Sequence, residues 1–333
     1  MKTMRKGMAL LLSAAMSCSL LMAGTAFAEE AETESSSFVL EYTEDMQAQG
    51  YEALELESVP ERVVCLSAAP VLALYELGVN IVGVVNSSVV TWPEDLSENA
   101  ETVAFSVMSD NFDAESVVNL NPDLVLVSSS VKDTVGATLE EIGIAVYYVN
   151  SGHTVSYEAI KEETQVYIDA FAVDEESQAA AAEILQSFAD VEERAAAAAE
   201  ALDGKTVMVL QSGSDSHYIQ TADGTLGTMA EMIGFTNVYE NESSSMVQLD
   251  FEEALDYDPD VVMCVGAESA EDHQVAMEAA FAENESYWYS IDAIAEGNVL
   301  YLPIDFCSTA GINIVNNLND LMDTVAEFYG LDF

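Results

Sequence analysis

Short apolar runs alternate with helical patterns along most of the chain. Each run has four or five residues and is rich in β-branched side chains. Such runs, with helices between them, are typical of strands buried on both faces of a parallel sheet. The pattern predicts an α/β fold with strands at residues 63–66, 81–85, 124–127, 145–149, 207–210, 261–265 and 299–302. Residues 38–56 alternate roughly with period two around Gln49-Gly50, which predicts an edge hairpin.

Segments of the first half recur in the same order in the second half. Asn121-Pro-Asp-Leu-Val-Leu-Val127 is echoed by Asp258-Pro-Asp-Val-Val-Met-Cys-Val265, and Gly143-Ile-Ala-Val-Tyr-Tyr148 by Gly297-Asn-Val-Leu-Tyr-Leu302. Ordered echoes predict two lobes of similar topology, each a mainly parallel sheet flanked by helices. The N-terminal α/β lobe is expected to span residues 38–154 and the C-terminal α/β lobe residues 204–333.

The stretch between the lobes predicts a long linking helix at residues 155–203. Residues 155–202 contain neither Pro nor Gly and are rich in Ala, Glu and Gln, which favour helix. A break is expected around Ala172-Val173-Asp174. We interpret the stretch as one long helix, or two collinear ones, that forms a rigid strut.

The N-terminus has the pattern of an export signal. Lys2, Arg5 and Lys6 precede an apolar run, and Ala26-Phe27-Ala28 supplies the small residues of a cleavage site. Residues 1–28 are therefore predicted to be a signal peptide and 29–37 a flexible acidic leader. The protein is expected in the periplasm or at the outer face of the cytoplasmic membrane. A lipid anchor at Cys18 is an alternative that the sequence disfavours, because residue 15 is not the usual Leu.

The net charge of the chain limits the kinds of partner that it can bind. The 333 residues include 60 Asp and Glu against 8 Lys and Arg, for a formal net charge of −52. No clustered cations are available for phosphates, so nucleic-acid binding is excluded, and strong self-repulsion predicts a monomer. Without residues 1–28, five cations remain. Cys65, Cys264 and Cys307 are expected to be buried free thiols.

Several ordered motifs give the chain a resemblance to a known family. They include Pro60-Glu-Arg-Val-Val-Cys-Leu-Ser67, Leu120-Asn-Pro-Asp-Leu-Val125 and Ala293-Ile-Ala-Glu-Gly-Asn-Val-Leu-Tyr-Leu-Pro303. With the export signal and the helical strut, they resemble the helix-linked (class III) periplasmic-type substrate-binding proteins of ABC importers. The resemblance implies a non-enzymatic receptor without an intrinsic cofactor. Such a receptor would capture an iron-siderophore, haem or cobalamin and deliver this ligand to an ABC permease and its ATPase.

The resemblance also suggests two docking residues. Glu115 lies seven residues before Pro122, and Glu252 lies seven residues before Pro259. In the family, a glutamate at this place on each lobe forms salt bridges with arginines of the permease. Because exposed ion pairs contribute little affinity singly, these glutamates are expected to set orientation and encounter rate.

The interlobe cleft is expected at the carboxyl ends of the strands, where α/β sheets bind ligands. Trp92 is expected either to stack on a ligand ring or to pack locally against Pro93. The other candidate ligand-binding residues share this loop location: Ser67, Ala68, Met108, Ser109, Ser128, Lys132, Ser212, His217, Tyr218, Met246, Asp305 and Phe306.

One branch of the family binds haem, and the chain matches it only in part. The segment around Met108 resembles a Met-Ser-Pro-Asp-like stretch whose Met ligates haem iron in that branch. The partner His follows the second Pro-Asp strand there, whereas Cys264-Val-Gly-Ala-Glu-Ser269 contains no His and the nearest one is His273. Haem ligation by Met108 and His273 is therefore one candidate, which this departure weakens.

Charge favours a neutral or cationic ligand over an anionic one. Few cations remain to neutralise an anion in the cleft, and two like charges about 4 Å apart repel by roughly 4 kcal/mol at an effective dielectric of about 20. A corrinoid, a hydroxamate-type chelate or another metal-bearing complex fits better than a catecholate chelate. The alternatives are an exported metal-ion-binding protein, which would need a compact ligand cage, and an exported two-lobed hydrolase.

Overall fold

The computed structural model describes residues 37–87, 89–107, 112–150, 155–202, 204–212, 217–239, 244–266 and 269–333. Each of the seven predicted strands is present, and they belong to two separate sheets flanked by helices. The predicted fold class, two α/β lobes with mainly parallel sheets and a long linking helix, is confirmed.

The N-terminal sheet is entirely parallel, with strand order β5-β4-β3-β6-β7. Its central strands are buried on both faces, as the continuous apolar runs require. Sequence pattern alone missed β5, because its exposed Glu101 and Thr102 make it too polar. The strands are β3 (Val63–Cys65), β4 (Ile81–Val85), β5 (Glu101–Val103), β6 (Leu124–Ser128) and β7 (Ala145–Val149), after the short β1 (Phe38–Leu40) and β2 (Leu54–Leu56).

The short strands β1 and β2 pair antiparallel, with Phe38 opposite Leu56. This agrees with the predicted edge pairing. However, the connection is not a tight turn at Gln49-Gly50, because a short helix, α1 (Glu44–Ala48), lies within it. Gly50 follows that helix with φ +93°, a left-handed conformation that glycine adopts without strain.

The C-terminal sheet is mixed, with strand order β11-β9-β8-β12-β13 and β10 beside β8. Its parallel part repeats the N-terminal arrangement, whereas β9 pairs antiparallel with both β8 and β11. The strands are β8 (Thr206–Ser212), β9 (His217–Gln220), β10 (Thr236–Asn237), β11 (Met246–Gln248), β12 (Val261–Val265) and β13 (Val299–Leu302).

Two antiparallel helices, α6 (Tyr157–Phe171) and α7 (Glu175–Leu202), occupy the linking stretch. Their pairing is shown by contacts between the start of α6 and the middle of α7: the Tyr157 hydroxyl lies 3.0 Å from a Glu192 carboxylate oxygen, and Lys161 forms an ion pair with the same carboxylate. The collinear interpretation is therefore wrong. Asp174 caps the second helix, because its carboxylate accepts the Ser177 backbone N–H at 2.8 Å. The rigid long helix is α7, whose 28 residues span about 42 Å.

One hydrophobic core extends through both lobes and the linking helices. It contains Val64 of the N-terminal sheet, Phe188 of α7 and Val209 of the C-terminal sheet, all at most 1% exposed. On β8, alternate residues Val207 and Val209 face this core, while Met208 and Leu210 face a second core on the other side of the sheet. A shared core is expected to limit motion between the lobes to small adjustments.

The remaining helices cover the faces of the sheets. In the N-terminal lobe they are α2 (Val71–Glu76), α3 (Glu94–Asn99), α4 (Ala114–Val118) and α5 (Ala137–Ile142), and in the C-terminal lobe α8 (Thr225–Met232), α9 (Phe251–Ala254), α10 (Ala270–Glu283), α11 (Glu285–Trp288), α12 (Asp292–Glu296) and α13 (Ile314–Tyr329). Within the described ranges, no helix is both long enough and apolar enough to cross a membrane. Cys65, Cys264 and Cys307 are buried free thiols, as predicted.

Candidate functional site

A cavity of about 800 Å³ lies at the carboxyl ends of the N-terminal sheet. Every parallel strand of that sheet contributes residues at or just beyond its end: Leu66 after β3, Val85 in β4, Phe105 after β5, Ser128 in β6 and Asn150 after β7. This is the edge where parallel α/β sheets hold ligands, and the volume falls within the roughly 300–1,000 Å³ of small-molecule sites.

The C-terminal lobe closes one side of the cavity with Thr225 at the start of α8 and with the loop containing Ser308, Thr309 and Gly311. The Thr225 hydroxyl accepts a hydrogen bond from the Val155 backbone N–H at 2.9 Å and lies 3.0 Å from the Val155 carbonyl oxygen. Thr225 therefore joins the C-terminal lobe to the segment that enters α6, directly beside the cavity.

Gly311 brings the two lobes into close backbone contact. It has φ +55°, and a β-carbon at this position would lie 2.0 Å from the Ala69 carbonyl oxygen. Only glycine fits both requirements, a left-handed backbone and an approach closer than any side chain permits. The contact places the Ser308–Gly311 loop against the start of α2.

The cavity lining combines hydroxyl, amide and apolar groups. The apolar part includes Val85, Phe105 and Ile160, and the amides are Asn86 and Asn150. The hydroxyl groups belong to Ser67, Ser87, Ser106, Ser128, Ser130, Thr225, Ser308 and Thr309. These groups offer many hydrogen-bond donors and acceptors without fixed charge, and they suit a large ligand with an apolar body and polar neutral substituents.

Glu163 on α6 is the one acidic or basic side chain among the described residues that line the cavity. The Asn150 backbone N–H lies 3.4 Å from its carboxylate, and the Tyr167 hydroxyl is adjacent. Burial raises the pKa of Glu163 to about 7, and the two neighbouring hydrogen-bond donors counter only part of that rise.

Gln220 positions the C-terminal wall of the cavity. Its side chain is fully buried, and its amide donates to the Cys307 carbonyl at 3.2 Å and to the Gln211 side chain at 2.9 Å. Its carbonyl oxygen accepts the Leu226 backbone N–H at 2.8 Å. One side chain therefore ties β8 and β9 to the start of α8 and to the segment preceding Ser308.

The structure brings three of the predicted N-lobe residues, Ser67, Ala68 and Ser128, to the cavity. Trp92 is not in the lining. Its indole N–H donates to the Val85 carbonyl at 2.9 Å, so it supports the end of β4 behind the cavity wall. The Lys132 ammonium lies 4.1 Å from the centroid of the Tyr51 ring, on the lobe surface rather than in the cavity. Met108 and Ser109 lie outside the described residues.

The predicted residues of the C-terminal sheet are not in the cavity lining. Ser212 and His217 face each other across β8 and β9, with Ser212 Oγ 2.8 Å from His217 Nδ1. The His217 ring packs against Trp288, which belongs to the core on the far face of the sheet, and burial lowers the pKa of His217. Tyr218 in β9 and Met246 in β11 belong to the same antiparallel section. These residues lie outside the lining because β8 pairs antiparallel with β9, whereas the strands of the N-terminal sheet end at an open edge.

Asp305 and Phe306 lie in a short 3₁₀ turn, Ile304–Phe306, after β13. Asp305 lines a neighbouring cavity of about 610 Å³ that shares Ser87 with the first one. Burial, and secondarily the charge of Asp320, raises the pKa of Asp305. Phe306 is buried in the core. The neighbouring cavity is therefore acidic on the C-lobe side, where Asp305 and Asp320 line it.

His273 does not line either cavity. It is buried on α10, and its ring lies so close to Gly266 that a β-carbon there would be 2.1 Å from His273 Nδ1. The structure therefore does not bring His273 to the cleft as a partner for a haem ligand. Among the described residues, no group of three or more His, Cys, Asp or Glu side chains is arranged to hold a metal ion.

The two candidate docking glutamates are exposed and occupy equivalent positions. Each follows an aspartate that caps a short helix, Asp113 for α4 and Asp250 for α9. One turn beyond each glutamate lies an exposed apolar residue, Val118 or Leu255. The sequence offset of seven residues from each proline therefore corresponds to a repeated local structure.

Sequence reasoning missed several residues that form the cavity, above all Thr225, Glu163 and the Ser308–Gly311 loop. Thr225 and the loop could have been suspected from Asp223-Gly224-Thr225 and Ser308-Thr309-Ala310-Gly311, both small polar segments next to predicted elements. Glu163 gave no signal, because it is one of many acids in a helical pattern.

Two α/β lobes that close on one cavity, with a long helix between them, define a binding protein for a small molecule. Residues 63–305 match the family described as periplasmic binding protein, and the chain belongs to that family. A cobalamin-binding protein from Halobacterium salinarum is 30% identical over 252 residues, which are 74% of this chain and 64% of that relative. The match thus spans less than two thirds of the relative's length.

Solved structures share the fold. A periplasmic binding protein from Veillonella parvula aligns with a TM-score of 0.69 and 16% identity, over 90% of this chain and 100% of that one. IsdE of Staphylococcus aureus, solved with heme, aligns with a TM-score of 0.63 and 20% identity, over 79% and 98% of the two chains. The predicted family is confirmed: the chain is a member of the periplasmic binding protein family and shares the fold of these solved structures.

Proposed function

We propose that this protein captures a corrinoid outside the cytoplasm and delivers it to an ABC permease. The observation that carries the proposal is the cavity itself, whose lining is rich in hydroxyl and amide groups and, among the described residues, contains no Lys or Arg. A corrinoid has an apolar macrocycle edged by neutral amide groups, which such walls complement. The cobalamin-binding relative at 30% identity supports the same ligand class.

The charge of the cleft favours a corrinoid over the anionic candidate ligands. A haem or a ferric catecholate brings negative charge into a cleft that already holds Glu163, with Asp305 in the adjoining cavity. Burying an uncompensated anion beside carboxylates is costly, because the low-dielectric site strengthens the repulsion. A neutral hydroxamate chelate escapes this penalty and is the second candidate.

Direct ligand binding tests the proposal. The mature chain is titrated with cyanocobalamin, a ferric trihydroxamate, haem and a ferric tricatecholate, and binding is followed by calorimetry and by absorbance. We expect submicromolar binding of cyanocobalamin and no binding of the tricatecholate. Absence of cyanocobalamin binding with tight binding of the trihydroxamate would replace the corrinoid by the second candidate. Tight tricatecholate binding would contradict the charge argument for both.

Delivery is proposed to use Glu115 and Glu252. Both are exposed, both have the same local structure, and each is followed three residues later by an exposed apolar residue. A pair of equivalent contacts, one on each lobe, suits a permease that receives both lobes at once. The export signal predicted at residues 1–28 supports a place outside the cytoplasm.

A further inference from the structure

Glu163 is unusual for its place in the cavity. It lies on α6, and the lining residues around it are Asn150, Val155, Ile160 and Thr225, none of which carries charge. The ion pairs found among the described side chains are Lys161–Glu192 and Arg194–Asp323, and neither involves Glu163. A carboxyl group at such a site is costly to ionise unless a ligand supplies hydrogen-bond donors.

The protein's own donors satisfy only part of this carboxyl. The Asn150 N–H contact of 3.4 Å is longer than the usual 2.7–3.2 Å, and the Tyr167 hydroxyl is the other neighbouring donor. An ionised carboxylate has about four acceptor sites. Glu163 therefore keeps capacity to accept hydrogen bonds from a molecule in the cavity.

We propose that Glu163 is the specificity-determining residue of the cleft and that its carboxylate accepts a hydrogen bond from an amide N–H of the bound corrinoid. The inference rests on the proposed function, because it names how that ligand is recognised. The same carboxylate disfavours analogues that present a carboxylate where the corrinoid presents an amide, since two anions would then meet in a poorly solvated site.

Among the described residues, the buried tyrosines that face Glu163 do not titrate near neutral pH. Tyr167 on α6 and Tyr147 on β7 are buried, and burial raises the pKa of each well above its usual value. Glu162 of α6 and Asp45 of α1 line a small cavity behind Glu163. A ligand donor that stabilises the carboxylate lowers the pKa of Glu163, so binding releases a proton and strengthens as pH rises through about 7.

Calorimetric titration with cyanocobalamin tests this inference. The ligand itself does not titrate in the range used, pH 6 to 8, so proton release measured in two buffers of different ionisation enthalpy reports on the protein. We expect affinity to be roughly tenfold higher at pH 8 than at pH 6, with about half a proton released at pH 7, because a group with a pKa of about 7 is half ionised there. Cobyrinic acid, which has carboxylates in place of the amides, should bind more weakly than cyanocobalamin.

Two variants complete the test. Glu163→Gln keeps the size and one acceptor oxygen, and we expect it to bind cyanocobalamin with an affinity independent of pH and without proton release. Glu162→Gln removes the adjacent exposed charge and should behave like the wild type. A pH-independent wild type, or a pH dependence that survives Glu163→Gln, would overturn the inference while leaving corrinoid binding intact. A wild type that binds no cyanocobalamin at any pH would overturn the proposed function, and this inference with it.

Discussion

Glu115 and Glu252 occupy the same position in the two lobes, the second residue of a short helix capped by an aspartate. The backbone N–H of Glu115 donates to Asp113 at 3.1 Å, and that of Glu252 donates to Asp250 at 2.8 Å. The repeat extends to the following strands. Asp123 accepts the backbone N–H groups of Glu61 and Arg62, and Asp260 accepts that of Thr206. The two lobes therefore share these aspartate-to-backbone hydrogen bonds as well as their topology.

This equivalence leads to a prediction about transport. The double variant Glu115→Ala, Glu252→Ala should retain wild-type affinity for ligand, because both residues lie outside the cavity lining, but lose ligand uptake in cells. A double variant of two other exposed glutamates, Glu98→Ala with Glu271→Ala, makes the same change in net charge and should keep uptake. Uptake at the wild-type level by the first variant would refute the docking role.

The lobe contact at Gly311 gives a prediction about stability. Gly311→Ala should lower the free energy of unfolding by about 2–4 kcal/mol, because left-handed backbone strain adds to a clash with the Ala69 carbonyl. Urea unfolding measures the change. Gly330→Ala is the matched control, since Gly330 has φ +65° but no atom within 4 Å of an added β-carbon. Its cost should be about 1 kcal/mol, from strain alone. Equal losses in the two variants would show that the close approach is not significant.

Gln220 gives a second stability prediction. Gln220→Leu should cost about 2–5 kcal/mol, because it leaves the Leu226 N–H and the Cys307 carbonyl in the interior without their partner. The loss should also weaken ligand binding, since both partners adjoin the C-terminal wall of the cavity. Thermal unfolding and ligand titration measure the two effects.

An exposed glutamine serves as the control for that change. Gln186→Leu on α7 makes the same chemical substitution at an exposed site, where the amide donates to the Asp190 carboxylate. Its effect on stability should stay within about 0.5 kcal/mol. A Gln220→Leu protein as stable as Gln186→Leu would show that the buried network contributes little.

The pKa of Glu163 predicts how stability depends on pH. The folded-state pKa is raised from 4.5 to about 7, so the native state holds a proton that the unfolded state releases. This group therefore makes the free energy of unfolding fall as pH rises from about 4.5 to about 7. Relative to wild type, Glu163→Gln should be more stable at pH 8, by on the order of 2 kcal/mol, and of similar stability at pH 4.5.

The difference between variant and wild type is the informative quantity, because the many surface acids change stability in both proteins alike. Urea unfolding at several pH values measures it, with Glu162→Gln as the charge-matched control. If Glu163→Gln were no more stable than Glu162→Gln at pH 8, the ionised carboxylate of Glu163 would not destabilise the native state.

The pattern of apolar residues and the ordered echoes were enough to predict the seven main strands and the two lobes, and the shared offset from Pro122 and Pro259 predicted the equivalence of Glu115 with Glu252. These features depend on local periodicity and on a repeated order of segments, and both can be read directly from the amino-acid sequence. The same reasoning missed β5 and the antiparallel section β9–β11, whose strands are short and carry polar or exposed residues. It also took two antiparallel helices for collinear ones, because helical propensity says nothing about direction.

The sequence by itself therefore determined the class of fold, the family and the scarcity of cations from which a neutral ligand was predicted. Only the tertiary structure decided which residues line the cavity. Strand ends that are far apart in sequence meet at one edge of the sheet, whereas β8 pairs antiparallel with β9 and keeps Ser212 and His217 out of the cleft. It also distinguished Glu163 from the other acids, because burial in the cavity wall, and not residue type, gives that carboxyl its distinct chemistry.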